Sequence, residues 1–90
     1  MAKKMPPFNF TAEVYCLAKR TGIKHPDEVF HDRTTRHGQA TVVTVFYAGK
    51  AGSGLSLCGR HDKYDADIGE RIALARALRD VQKAVVDYYV

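Results

Sequence analysis

A cysteine, a histidine and an aspartate lie close together in the second half of the chain, in the order Cys58-Gly59-Arg60-His61-Asp62. A thiol three residues from an imidazole, with a carboxylate next to it, is a pattern from which a base-activated nucleophile can be built. No asparagine or glutamine suited to an oxyanion hole lies nearby, and 90 residues leave little room for a substrate cleft. We therefore interpret Cys58 as a buried cysteine at a strand end, and we predict no catalytic residue and no enzyme activity.

Cys58 and His61 also have the C-x-x-H spacing of half a zinc site. The remaining ligands would have to come from Cys16 and one of His25, His31 or His37. Structural zinc sites usually contain two such half-sites, and no second cysteine accompanies the other histidines. The sequence therefore predicts no metal and no cofactor.

Basic residues are the strongest functional signal. The formal net charge is +4, and the charge is uneven: residues 1–64 hold ten Lys/Arg against five Asp/Glu, whereas residues 65–90 hold four against five. The candidates for contact with nucleic acid or another partner are Lys19, Arg20, Lys24, Arg33, Arg36, His37, Lys50, Arg60 and Lys63. Clustered on one face, these groups would bind phosphates. The alternative is an ordinary solvated surface.

The elements that must position these groups belong to one small domain. We predict a flexible tail over residues 1–7 and a single domain over residues 8–90. Two cysteines fit free thiols in a reducing compartment, no signal peptide is evident, and no apolar run is long enough to cross a membrane. The predicted location is the cytoplasm.

The strand pattern is clearest over Ala40–Ala48, where apolar and β-branched residues dominate. Gly49–Gly54 is interpreted as a glycine-rich hairpin loop, because it lacks the spacing of a phosphate-binding loop, and Leu55–Gly59 as the returning strand. Phe8–Ala18 alternates like a strand, which is favoured, although Thr11 could instead cap a helix closed by Gly22.

Thr21–Gln39 is predicted to be a polar connection, in which Pro26 starts one or two helical turns or Val29 and Phe30 simply tuck against the core. A long helix then begins at Asp65 or Asp67 and runs close to the C-terminus. Its apolar side is predicted to hold Ile68, Ile72, Leu74, Ala75, Leu78, Val81, Val85, Val86 and Tyr89. The fold class that follows is α+β, with a small antiparallel three-stranded sheet packed by one long C-terminal helix.

The same helix carries a polar strip and a separate stripe of small residues. Its strip pairs Arg76 with Asp80, and Lys83 with Asp87, four residues apart. The stripe consists of Ala73, Ala77 and Ala84. The apolar arc is wider than a narrow sheet would cover, so the stripe predicts a homodimer through antiparallel helices, the alternative being simple helix propensity.

The segment from Leu55 to Leu78 resembles a family of small phage-encoded proteins of uncharacterised role. The shared features are a cysteine, an aspartate before an aromatic residue, Gly-x-x-Ile-Ala and Arg-Ala-Leu. Here they are Cys58, Asp62, Tyr64, Gly69, Ile72-Ala73 and Arg76-Ala77-Leu78. The resemblance implies a phage accessory protein whose targets are host machinery or host defence.

A second resemblance is to double-stranded-RNA-binding domains. It rests on the order Val14-Tyr15-Cys16, Gly22, Ala40–Tyr47, Gly49, Gly52-Ser53-Gly54 and an alanine-rich last helix. It would favour the helical alternative for Thr11–Thr21. The departure lies at the start of the last helix, where that family places lysines and this chain places Asp62, Asp65, Asp67 and Glu70.

Together these features predict a non-enzymatic binding protein of phage type that binds a host protein stoichiometrically, in an inhibitory or anti-defence role. The alternative is a basic protein that contacts the nucleic-acid backbone without strong sequence specificity.

Overall fold

A computed structural model describes residues 7–57 and 65–89 of the chain. The elements, in order, are α1 (Phe10–Thr21), a 3-10 helix (Pro26–Glu28), β1 (Phe30–His37), β2 (Ala40–Tyr47), β3 (Lys50–Leu57) and α2 (Ala66–Tyr89). The three strands form one antiparallel sheet in the order β1-β2-β3. This confirms the predicted α+β class, with a three-stranded sheet packed against a long C-terminal helix. Residues 1–6 of the predicted tail lie outside the described residues.

Helix α1 replaces the strand that was favoured over Phe8–Ala18, and that prediction is wrong. The Asn9 side chain caps the helix by accepting a hydrogen bond of 3.0 Å from the N–H of Ala12, so Thr11 is not the cap. Gly22 ends the helix in the left-handed conformation and donates its N–H to the carbonyl of Ala18. Only Val14 and Ala18 are buried in the helix, and their spacing of four residues is helical rather than strand-like.

The predicted connection over Thr21–Gln39 contains the expected short helix at Pro26–Glu28 but also strand β1, which the sequence analysis missed. The predicted hairpin loop at Gly49–Gly54 is also wrong. Ala48 and Gly49 alone make the β2–β3 turn, both with positive φ, and β3 already begins at Lys50. Positive φ at both central residues is what a type I′ two-residue hairpin turn requires.

Helix α2 packs directly on the backbone of β3, at two glycines that face it. A Cβ atom built on Gly52 would lie 2.5 Å from the backbone nitrogen of Val81, and one on Gly54 would overlap the carbonyl oxygen of Ala73. Real Cβ contacts are never so short, so the helix can approach this closely only because both strand positions are glycine. The glycines therefore serve helix packing and not a loop.

The buried core lies between the inner face of the sheet and the two helices. Its members are Val14, Ala18, Ile23, Val29, Val43, Val45, Tyr47, Ala73, Leu74, Ala77, Leu78 and Val81. Several residues predicted on the apolar side of α2 are instead exposed, namely Ile68, Ile72 and Val86. The side of α2 that enters the core holds Ala73, Leu74, Ala77, Leu78 and Val81, and the helix backbone at Ala73, Ala77 and Val81 lies against the glycines of β3.

The start of α2 follows the prediction. The Asp65 carboxylate accepts hydrogen bonds from the N–H groups of Asp67 and Ile68, at 2.9 and 3.2 Å, and so caps the helix. Asp67 instead accepts from the N–H of Phe8, which fastens the entry to α1 beside the start of α2. The choice left open between Asp65 and Asp67 is thereby settled for Asp65.

Two ion pairs tie α2 to the rest of the fold. Arg71 Nε donates to Glu13 Oε1 of α1 at 2.8 Å, and both side chains are largely buried. Arg36 of β1 pairs with Glu70, which is itself buried. One side of β1 and one side of α1 are thus each held to α2 by a charged contact.

Candidate binding surface

The sheet has a second face, turned away from both helices, that bears an apolar surface. On β2 the residues Thr41, Val43, Val45 and Tyr47 point into the core, so Ala40, Val42, Thr44 and Phe46 point outward. Directly opposed residues in antiparallel strands share a face. The residues of β1 and β3 that lie opposite Ala40, Val42, Thr44 and Phe46 therefore also point outward.

We define the outer sheet face by these outward residues. Four rows cross the three strands: Phe30–Phe46–Ala51, Arg33–Thr44–Ser53, Thr35–Val42–Leu55 and His37–Ala40–Leu57. The two phenylalanines lie at one end, and Val42, Leu55 and Leu57 lie in the two rows at the other end. The polar row Arg33–Thr44–Ser53 separates these two apolar groups. No helix of the described chain covers this face, and its large apolar side chains are exposed.

The apolar side chains on this face are strongly exposed. The exposed fraction is 67% for Phe30, 43% for Phe46, 45% for Leu55 and 68% for Leu57. Single exposed apolar residues are normal, but a contiguous group is typical of an interaction site. The outer sheet face is therefore the candidate binding surface.

The polar residues of the face lie on β1 and in the row Arg33–Thr44–Ser53, which crosses all three strands between the two apolar groups. Arg33 Nε donates to Asp32 Oδ2 at 3.1 Å, next to the bulge in β1 between His31 and Arg33. Across the central row, the hydroxyls of Thr44 and Ser53 are hydrogen-bonded to each other at 3.2 Å. Protein–protein interfaces commonly combine apolar and aromatic anchor residues with hydrogen-bonding groups of this kind.

The predicted basic residues do not gather into one patch among the described residues. Lys19, Arg20 and Lys24 are exposed at the end of α1 and in the segment after it. Arg33 and His37 lie on the outer sheet face, and Arg36 is held on the opposite face by Glu70. The amine of Lys50 lies 3.9 Å from the ring centre of Tyr88. Arg60 and Lys63 lie outside the described residues.

The predicted dimer stripe on α2 is wrong for two of its three residues. Ala73 and Ala77 are fully buried against β3, and only Ala84 is partly exposed. Their small size is required by the packing on Gly52 and Gly54 within one chain. They leave no surface on which a second helix could lie.

An open groove of about 320 Å³ lies between the end of α1, the β2–β3 turn and the last turns of α2. Its lining includes Lys24, Val85 and Val86. The side chains of Gln82 and Tyr47, which also line the groove, are already hydrogen-bonded within the chain. The Gln82 amide donates to the carbonyl of Gly22 at 3.0 Å, and the Tyr47 hydroxyl accepts from the N–H of His25 at 3.3 Å.

The chemistry predicted around Cys58, His61 and Asp62 lies outside the described residues. Within residues 7–57 and 65–89, no group of three or more His, Cys, Asp or Glu side chains could hold a metal ion. The described Cys16 is an exposed free thiol on α1. No helix of the described chain is long and apolar enough to cross a membrane.

The fold defines the class of protein as a small α+β domain with two helices on one face of a three-stranded sheet. Comparisons with known proteins found no matching family model, no matching curated protein and no matching solved structure. Function must therefore be argued from the surfaces of this chain.

Proposed function

We propose that this chain is a non-enzymatic binding protein of phage type that acts by stoichiometric binding to a host protein, in an inhibitory or anti-defence role. The observation that carries the proposal is the outer sheet face, with four exposed large apolar side chains in two groups, Phe30 with Phe46 and Leu55 with Leu57. Removing such side chains from water contributes about 25 cal/mol per Å² of apolar surface, from which the entropic and desolvation costs of association are subtracted. The site of action is the cytoplasm of the host cell.

Stoichiometric blocking requires only a rigid surface with a few anchor residues. Phe30 and Phe46 are opposite each other in the register, so they present two aromatic rings at one end of the face. The inner face of the same strands packs in the core, which fixes the positions of the outward side chains. A preorganised surface of this kind loses little conformational entropy on binding.

The test is capture of a host protein from a lysate, with and without nuclease, followed by reconstitution with the purified partner. We expect a nuclease-resistant partner that forms a one-to-one complex. The variant Leu55→Glu should abolish capture, because it places a charge beside Val42 in the aliphatic part of the face. Val86→Glu is the matched control, since Val86 is exposed to the same degree, 46% against 45%, but lies on α2.

A partner that binds Leu55→Glu and wild type equally would contradict this use of the face. A partner that disappears on nuclease treatment would instead support nucleic-acid binding. That alternative is favoured by Lys19, Arg20 and Lys24, which lie close together in sequence and are exposed. Reversing these three charges to Glu should then weaken binding and reduce its salt dependence, whereas Lys83→Glu should not.

A further inference from the structure

We propose that a second copy of this chain covers the outer sheet face when the protein is free, so that two sheets pack face to face in a weak homodimer. The proposal goes beyond host-protein binding, and it is tested on the purified protein alone. The interface is built from Phe30, Val42, Phe46, Leu55 and Leu57. None of these residues belongs to the alanine stripe of α2.

The area of the face limits how tightly two copies can associate. Strands of eight residues, at about 3.3 Å per residue and about 4.8 Å between strands, give a plan of about 27 by 14 Å, or roughly 400 Å² per chain. Two such faces amount to roughly 800 Å², and side-chain relief raises the buried total to on the order of 1,000 Å², which is the size of a weak, transient interface. We therefore expect a dissociation constant in the micromolar range and a concentration-dependent equilibrium.

Charge does not oppose this packing. Arg33 is the only lysine or arginine among the outward residues of the three described strands, and its guanidinium is paired with Asp32. The exposed cations Lys19, Arg20 and Lys24 lie at the end of α1 and after it, away from the sheet face. Two copies can therefore approach without burying an unpaired charge, which would otherwise be costly.

Association through the sheet edges is disfavoured, which leaves the face. On the β3 edge, Asp80 accepts from the N–H of Ser53 at 2.9 Å, and Arg76 donates to the carbonyl of Leu55. On the β1 edge, the bulge at Asp32 interrupts the regular pairing pattern. Bound edge groups and bulges are the devices by which proteins prevent strand addition.

A dimer of this kind would have a regulatory consequence. The surface proposed for the host protein is covered in the dimer, so a partner and a second copy compete for it. Binding of the partner should then convert a homodimer into two one-to-one complexes. High concentrations of the free protein would favour the self-associated form.

The test is sedimentation equilibrium of purified wild type between about 1 μM and 1 mM. We expect the mass to rise from 10.0 kDa toward twice that value, about 20 kDa. In a two-fold interface the variant Leu55→Glu places one buried charge on each copy. We expect it to raise the dissociation constant at least about 30-fold. Leu57→Glu, at a still more exposed position, should do the same with even less effect on the monomer. Val86→Glu on α2 should leave the equilibrium unchanged.

Circular dichroism of each variant establishes that it is folded. A wild type that stays at 10.0 kDa up to 1 mM would overturn the proposal. So would a dimer that persists in folded Leu55→Glu and Leu57→Glu, or one that dissociates only in Val86→Glu. The two proposals are tested independently. A monomeric wild type would not contradict host-protein binding, and failure to capture a host protein would not contradict the homodimer.

Discussion

The carboxylate of Asp80 on α2 accepts a hydrogen bond of 2.9 Å from the backbone N–H of Ser53, on the outer edge of β3. One turn earlier, Arg76 donates to the carbonyl of Leu55 on the same edge. Their spacing of four residues predicts that Arg76 and Asp80 pair with each other on the polar strip of the helix. In the structure, both side chains instead satisfy backbone groups that have no neighbouring strand.

We expect Asp80→Ala to destabilise the fold by about 1 kcal/mol, because it removes a charge-assisted hydrogen bond at an exposed site. The amide of Ser53 should also exchange its hydrogen faster, which nuclear magnetic resonance can measure residue by residue. Asp87→Ala is the control, since Asp87 is an exposed acid on the same helix. Equal exchange rates at Ser53 in wild type and Asp80→Ala would contradict this role.

Gly54→Ala should lower the free energy of unfolding by at least about 2 kcal/mol, although alanine fits a strand better than glycine. The added methyl would collide with the carbonyl oxygen of Ala73 and force α2 away from the sheet. Ser53→Ala, on the outward side of the same strand, should change the stability by less than about 1 kcal/mol. The measurement is urea denaturation, and a loss below about 0.5 kcal/mol for Gly54→Ala would argue against the close packing.

Asn9→Ala should cost about 1 kcal/mol, because the N–H of Ala12 loses the acceptor that caps α1. Thr11→Ala, at the position that the sequence suggested as the cap, should be neutral, since Thr11 is exposed and already inside the helix. Thermal denaturation of the two variants distinguishes the positions. A larger loss of stability in Thr11→Ala than in Asn9→Ala would indicate that Thr11 caps the helix.

The pair Glu13–Arg71 should show a coupling free energy of about 0.5–1.5 kcal/mol in a double-mutant cycle with Gln at each position. Both side chains are largely buried, so solvent screens their interaction less than at the surface. The exposed pair Asp32–Arg33 provides the comparison and should couple by less than about 0.5 kcal/mol. Equal coupling in the two cycles would show that burial does not strengthen the first pair.

The sequence predicted the fold class but not the identity of every strand. Helix α2 and strand β2 carry long, regular patterns, and both were placed correctly within a few residues. Strand β1 reads Phe-His-Asp-Arg-Thr-Thr-Arg-His, which shows no alternation of apolar and polar residues. Its strand conformation comes from pairing with β2, a tertiary interaction that no local pattern encodes.

The ambiguity over Phe8–Ala18 has a similar origin. Its residues alternate in polarity, but Tyr15 and Cys16 are both exposed, which a strand with one buried face does not allow. The capping residues favour a helix, because Asn9 caps its N-terminus and Gly22 caps its C-terminus, and the segment between them is 12 residues long. Giving more weight to these end signals than to the alternation would have identified α1.

The outer sheet face could not be assembled from sequence, because it needs the register of β1, which was not recognised. One signal was nevertheless present. In β2 the residues on both sides are apolar, with Val43 and Val45 on one and Val42 and Phe46 on the other. A strand that is apolar on both sides is typical of a strand with a contact on each face, and the described helices lie on only one of them.

The two inward glycines of β3 also bear on the order of folding. Gly52 and Gly54 contribute no side chain to the core, so the inner side of the strand gains little apolar burial until α2 lies upon it. The helix in turn can pack at Ala73 and Ala77 only after β3 has formed, because these residues lie against Gly52 and Gly54. We therefore expect the β2–β3 hairpin and α2 to be acquired in a single cooperative step, with neither stable as an intermediate.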